Sequence, residues 1–186
     1  MTMSPLHATL ALASALILAG CAPVDDTPAP VSSNTSTETD ADASAYGGFA
    51  IDPPADDEIV LTIEAAADRD FTYSELQQLA TVEISILEPF VNQRQSFSGV
   101  PLADLLGLAG ITASDRIETI ALNDYRFADS ASQWADADAL LAVYRDGALI
   151  PMDQGGPIRI VFAEDSAAYG QLDAWNWSLR TIAVVE

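Results

Sequence analysis

Residues 140–162, LLAVYRDGALIPMDQGGPIRIVF, carry the clearest structural signals in the chain. Residues 140–145 are apolar and rich in β-formers, Asp146-Gly147 is a tight-turn dipeptide, and residues 148–151 return, which together predict a hairpin. A Gly155-Gly156-Pro157 break follows. Beyond it, Ile158, Ile160 and Phe162 alternate with Arg159 and Val161 in the pattern of a half-buried strand.

Working outward, residues 59–63 alternate as a strand, and Thr72-Tyr73-Ser74-Glu75 is a capping-box start for a short helix ending at Leu79. Residues 81–87, TVEISIL, alternate again, and residues 88–95 read as a loop of mixed hydrogen-bonding groups. Pro101 opens a helix whose apolar positions 102, 105, 106 and 109 share one face. Residues 117–122 form a strand running into Asn123-Asp124-Tyr125-Arg126, and residues 131–139 a short helix. A polar loop at 163–173 and a closing strand at 179–185 complete the pattern. Several strands with short helices between them predict an α+β domain of mixed β-sheets over 58–186.

The chain has 186 residues with 49% hydrophobic content, enough for a real core. Its 28 acidic residues face only 7 basic ones, all arginine, for a net charge of -21. No basic patch exists to release counterions from a polyanion, so a nucleic-acid partner is excluded.

Residues 10–19, LALASALILA, are too short a run to span a bilayer comfortably but suit the core of a signal peptide. They lead into Leu18-Ala19-Gly20-Cys21, which resembles the lipobox of bacterial lipoproteins, where cleavage before the cysteine follows acylation of its sulfur. The segment departs from the usual pattern in having no Lys or Arg before the apolar core, only the α-amine and His7. This resemblance implies a signal peptide at 1–20, a lipid anchor at Cys21, and an exported, membrane-anchored protein on the periplasmic face of an outer membrane or the cell surface. Ala22 after the cysteine favours the outer membrane. Residues 22–57 carry eight acids, no base and no periodicity, the composition of a disordered tether.

Cys21 is the only cysteine and His7 the only histidine. Once the leader is removed, the domain owns no imidazole, no free thiol and no lysine. It therefore builds no Ser-His-Asp or Cys-His system, no Schiff base and no zinc site of the usual donors. No catalytic residue and no metal ligand is assigned.

From Phe71 to Val185 the order of features resembles the molybdopterin-binding domain of the sulfite-oxidase family. The carrying pieces are the Phe71-Thr72-x-x-Glu75-Leu76 helix start, Phe97-x-Gly99-Val100-Pro101-Leu102-x-x-Leu105-Leu106, and Asn123-Asp124-Tyr125. Asp146-Gly147-x-x-Ile150-Pro151, Gly156-Pro157-Ile158-Arg159, and Trp175-x-Trp177-x-Leu179-x-x-Ile182-x-Val184 continue the order. Enzymes of that family hold molybdenum through a cysteine in the loop that corresponds to residues 88–95, and no cysteine stands there. The chain looks like the family's cysteine-free branch of exported proteins, some of which bind a reduced pterin and report on it to a membrane signalling protein.

The resemblance implies a small pterin or molybdopterin-like ligand, not held through metal. A flat, nitrogen-rich heterocycle needs an aromatic face and a few fixed polar groups along its edge. Phe90, Trp175, Trp177 and Tyr169 are the expected stacking surfaces. Asn92, Arg94, Asp124 and Tyr125 are the expected edge readers. Two alternatives stand beside this reading: a molybdopterin-dependent oxidoreductase lacking the cysteine, its metal held by a carboxylate such as Glu88, and a ligand-free interaction domain with a filled cavity.

Overall fold

The computed structural model describes residues 51–186. The expected signal peptide, the expected lipid-anchor site Cys21 and most of the expected tether lie outside the described residues. Ten strands and three short helices follow in order: β1 (Ile59–Glu64), β2 (Arg69–Thr72), α1 (Tyr73–Leu79), β3 (Val82–Glu88), β4 (Gln93–Pro101), α2 (Leu102–Leu108), β5 (Arg116–Ala121), β6 (Arg126–Ser130), α3 (Ala131–Asp136), β7 (Leu140–Arg145), β8 (Ala148–Leu149), β9 (Arg159–Val161) and β10 (Leu179–Val185). Single 3-10 turns occupy Met152–Gln154 and Leu172–Ala174.

The strands form two sheets. The first runs β2-β1-β10-β5-β6, with β10 at its centre, parallel to β1 and antiparallel to β5. The second runs β3-β4-β7-β8, all antiparallel, and β9 pairs with β7 beyond the end of β8. This is the mixed α+β arrangement expected, although the closing strand is central and not an edge. Just before Glu58, the Asp56 carbonyl accepts from the Ser74 N–H at 3.0 Å.

Local chemistry explains the elements. The Thr72 hydroxyl accepts from the Glu75 N–H while the Glu75 carboxylate accepts from the Thr72 N–H, so α1 starts where the capping box placed it. Asp146 and Gly147 both adopt positive φ, 51° and 79°, which the β7–β8 turn requires. Gly99 sits at a register shift of β4 against β7, where a Cβ would lie 2.0 Å from the Leu141 carbonyl oxygen. Only glycine permits that approach.

Two readings need correction. Residues 93–95 belong to β4, so the loop after β3 is a tight turn at 89–92. The strand at 159–161 is not half-buried: Arg159, Ile160 and Val161 are all fully shielded. Alternation there reflects a buried ion pair, described below, and not a wet face.

Candidate functional site

The turn after β3 is built from inside. Glu88, fully buried, directs Oε2 to the N–H groups of Phe90 and Val91 at 2.8 and 2.9 Å, and Oε1 to the Arg159 guanidinium at 2.8 Å. Burying a carboxylate demands such partners, since an unpaired charge in a core is costly. Asn92 closes the turn, donating its N–H to the Glu88 carbonyl at 2.8 Å. One consequence is that Phe90 points outward and remains 44% exposed.

The same arginine reaches the opposite wall. Its guanidinium carbon lies 4.1 Å from the Trp177 ring centroid and 5.5 Å from that of Phe97. Gly155, at φ 89°, passes beneath Trp177 so closely that a Cβ there would stand 3.2 Å from the indole. Trp177 also meets Phe90 edge-on, with ring centroids 4.9 Å apart. Glu88 and Arg159 thus set both Phe90 and Trp177 from below.

The two tryptophans do not sit in a strand; they follow the 3-10 turn at Leu172–Ala174. Asn176 between them is buried and donates to the Thr119 hydroxyl at 3.1 Å. Trp175 is largely core at 3% exposure, packing against Phe162 at 5.5 Å and Tyr169 at 5.7 Å. Its Nε1–H donates to the Tyr169 carbonyl at 3.1 Å.

Phe90, Trp175 and Trp177 form one side of an open cleft of about 320 Å³, completed by Asn123, Tyr125, Leu172 and Asp173. The Tyr125 hydroxyl donates to the Asp173 carbonyl oxygen at 2.9 Å, bridging the loop after β5 to the 3-10 turn. The Tyr125 phenol is pushed above its ordinary value, first by burial and then by the Asp173 charge. Four expected residues, Phe90, Tyr125, Trp175 and Trp177, are therefore brought together, and the cavity between Phe90 and the tryptophans is open.

Four expected residues stand elsewhere. Asn92 has φ 55° and Asp124 φ 66°, left-handed positions that Asn and Asp tolerate better than most residues, so their identity answers to turn geometry. The Asp124 carboxylate pairs with Arg180 at 2.5 Å. Arg94 turns to the outside of β3, pairing with Glu164 at 2.9 Å. Tyr169 supports Trp175 from behind and donates its hydroxyl to the Leu87 carbonyl. Glu88 has both oxygens engaged and does not line the cleft, so it is not placed to hold a metal there.

Sequence reading missed Asn123, Leu172 and Asp173. The first belongs to the Asn-Asp-Tyr motif, one residue from the Asp124 chosen in its place, and it accepts from the Tyr125 N–H at 3.1 Å. Asp173 gave no signal beyond membership of a polar loop. Chemically the cleft offers aromatic faces, an amide, a phenol and a carboxylate. Among the described residues, no three or more His, Cys, Asp or Glu side chains are grouped to hold a metal ion.

Comparison with known proteins follows the geometry. Residues 50–171 match the family described as oxidoreductase molybdopterin binding domain. Among solved structures, the chain is similar to the sulfane dehydrogenase SoxCD from Paracoccus pantotrophus, at 17% identity and a TM-score of 0.56. The match covers 73% of this chain and 40% of that one, a likeness of fold over less than half of the larger protein. No curated protein sequence matches the chain. With two thirds of its length inside the family match, the chain belongs to the oxidoreductase molybdopterin binding domain family.

Proposed function

We propose that the protein is an exported, lipid-anchored module whose cleft binds a small pterin-like ligand without transforming it, and that it serves sensing or regulation. The observation that carries this reading is the cleft itself. Its aromatic walls, Phe90 and Trp177, are preset by the buried Glu88–Arg159 pair in the turn where enzymes of the family carry their metal-binding cysteine. A flat heterocycle stacks on such walls, and preset walls reduce the ordering cost of binding.

The family suggests a molybdopterin-like ligand. The residues present fit its pterin ring but offer no thiolate for molybdenum, because residues 51–186 contain no cysteine. The ring system alone is the moiety recognised. The rival reading, an oxidoreductase carrying molybdenum on the ligand's own dithiolene, predicts stoichiometric metal.

The anchor is part of the proposal. Acylation of Cys21 holds the domain to a membrane through residues 22–57, whose flexible reach is roughly 30 to 36 Å. A membrane signalling protein at that distance is the proposed recipient of the ligand-bound form. Replacing Cys21→Ala moves the protein from the membrane pellet to the soluble fraction, and persistence in the pellet contradicts the anchor. Calorimetric titration with a reduced pterin tests the ligand. Dissociation constants below about 100 μM, some -5.5 kcal/mol, support it, and weaker or absent binding counts against it.

A further inference from the structure

We infer that the cleft selects its ligand by charge, admitting neutral or cationic flat heterocycles with a hydrogen-bond-donor edge, and rejecting phosphorylated ones, with Asp173 as the discriminating residue. This rests on the proposal that the cleft is the ligand site, and it narrows the class of ligand.

The argument begins with what lines the cleft: Phe90, Asn123, Tyr125, Leu172, Asp173, Trp175 and Trp177. One of these is an acid and none is a base. The chain has no lysine, and its seven arginines lie elsewhere. Arg94, Arg126 and Arg180 pair with Glu164, Glu118 and Asp124 at 2.9, 2.6 and 2.5 Å. Arg159 is committed to Glu88 beneath Trp177, and Arg145 to the Gln154 side chain. Arg69 lies over the Phe71 ring, and Arg116 donates to the Ala128 carbonyl at 3.4 Å.

A phosphate is recognised by guanidinium forks, ammonium groups or backbone N–H nests. Here a dianion would enter a cleft that presents a carboxylate, on a protein whose net charge is already -21. Repulsion acts both on approach and in the complex. The same carboxylate suits the opposite chemistry. The amino-pyrimidine edge of a pterin presents adjacent N–H donors, and a carboxylate accepts two parallel hydrogen bonds from such an edge. Discrimination thus comes from an attractive element and a repulsive one together, as selective sites commonly arrange it. Molybdopterin in its full form carries a phosphate, so the cleft disagrees with the complete cofactor and agrees with its phosphate-free ring.

The test uses the full chain in detergent at about 0.15 M salt, where charges beyond roughly 8 Å are screened. Two pairs that differ only in a phosphate are titrated: dihydroneopterin against its 3′-phosphate, and guanosine, whose ring has the same N–H donor edge, against guanosine 5′-monophosphate. The expected result is that the phosphate-free member binds at least about 10-fold more tightly, and that Asp173→Asn weakens it while shrinking the ratio to within about 3-fold. Equal or tighter binding of the phosphates, or a ratio unchanged by Asp173→Asn, overturns the inference and leaves the pterin reading standing. Binding of guanosine over its phosphate with no binding of either pterin supports charge selection and removes the pterin reading. Binding of none of the four removes both.

Discussion

Arg159 and Glu88 meet at 2.8 Å with both side chains wholly shielded from solvent, one on β9 and the other at the end of β3. They are 71 residues apart in sequence, yet together they hold the two aromatic walls of the cleft. The carboxylate holds the Phe90 and Val91 N–H groups, and the guanidinium lies against Trp177.

Glu88→Gln therefore does two things. It leaves a buried guanidinium without its counter-charge, which costs about 3–5 kcal/mol of stability in comparable pairs. It also weakens the cap on the turn that presents Phe90. Urea unfolding reads the first effect; a change below about 1 kcal/mol would show the pair to be unimportant to the fold.

Phe90 and Trp175 separate binding from folding. Phe90 is 44% exposed and Trp175 3%, though both line the cleft. Phe90→Ala is expected to weaken pterin binding about 10-fold, near 1.4 kcal/mol, with about 1 kcal/mol or less lost in stability. Trp175→Ala removes a core side chain and costs about 3–5 kcal/mol of stability. Paired calorimetry and urea melts check both, and the reverse ordering would contradict the assignment of roles.

Acid acts through Glu164. Its carboxyl lies below the ordinary 4.5, first because the Leu87 N–H donates to it at 2.7 Å and then because of Arg94. A carboxyl depressed in the fold adds stability that is complete above the unfolded value and is lost as pH falls through the folded one. Stability should decline below about pH 4.5, and Glu164→Gln should flatten that decline. Urea midpoints between pH 6 and pH 3 measure it, and an unaltered slope in the variant would remove Glu164 from the account.

Alkali acts through Tyr73. Its phenol, buried and without a hydrogen-bond partner among the described residues, is pushed up to about 12, mostly by burial. The folded value exceeds the unfolded one of 10.0, so the contribution stands below pH 10 and is lost as pH rises through the folded value. Tyr73→Phe is expected to remove that alkaline step while changing stability at neutral pH by less than about 1 kcal/mol. Retention of the step in the variant would assign it elsewhere.

Much of the fold was readable because its signals are local. The Asp146-Gly147 turn, the Thr72–Glu75 capping box and the alternation of β1, β3 and β10 depend on neighbours in sequence. β6 escaped notice because RFADS is a half-wet edge strand with no apolar alternation. Arg159 is legible as a structural partner to an acid, but its full burial is not, because Glu88 stands on a different strand and period-two patterning cannot distinguish a wet charge from a paired one. The aromatic half of the cleft was legible from the family resemblance and residue type together. Its polar half was not: Asn92 and Asp124 were read as edge contacts when left-handed turns account for them. Asp173 reaches the cleft only through a 3-10 turn that leaves little mark on the sequence.

The central claim is that this cleft recognises a pterin ring without a thiolate-held metal. The most direct measurement is mass spectrometry of the small molecules, together with metal analysis, on the protein purified from its native host. The account predicts a reduced, phosphate-free pterin and only trace molybdenum. Molybdenum in stoichiometric amount with the chain would contradict it.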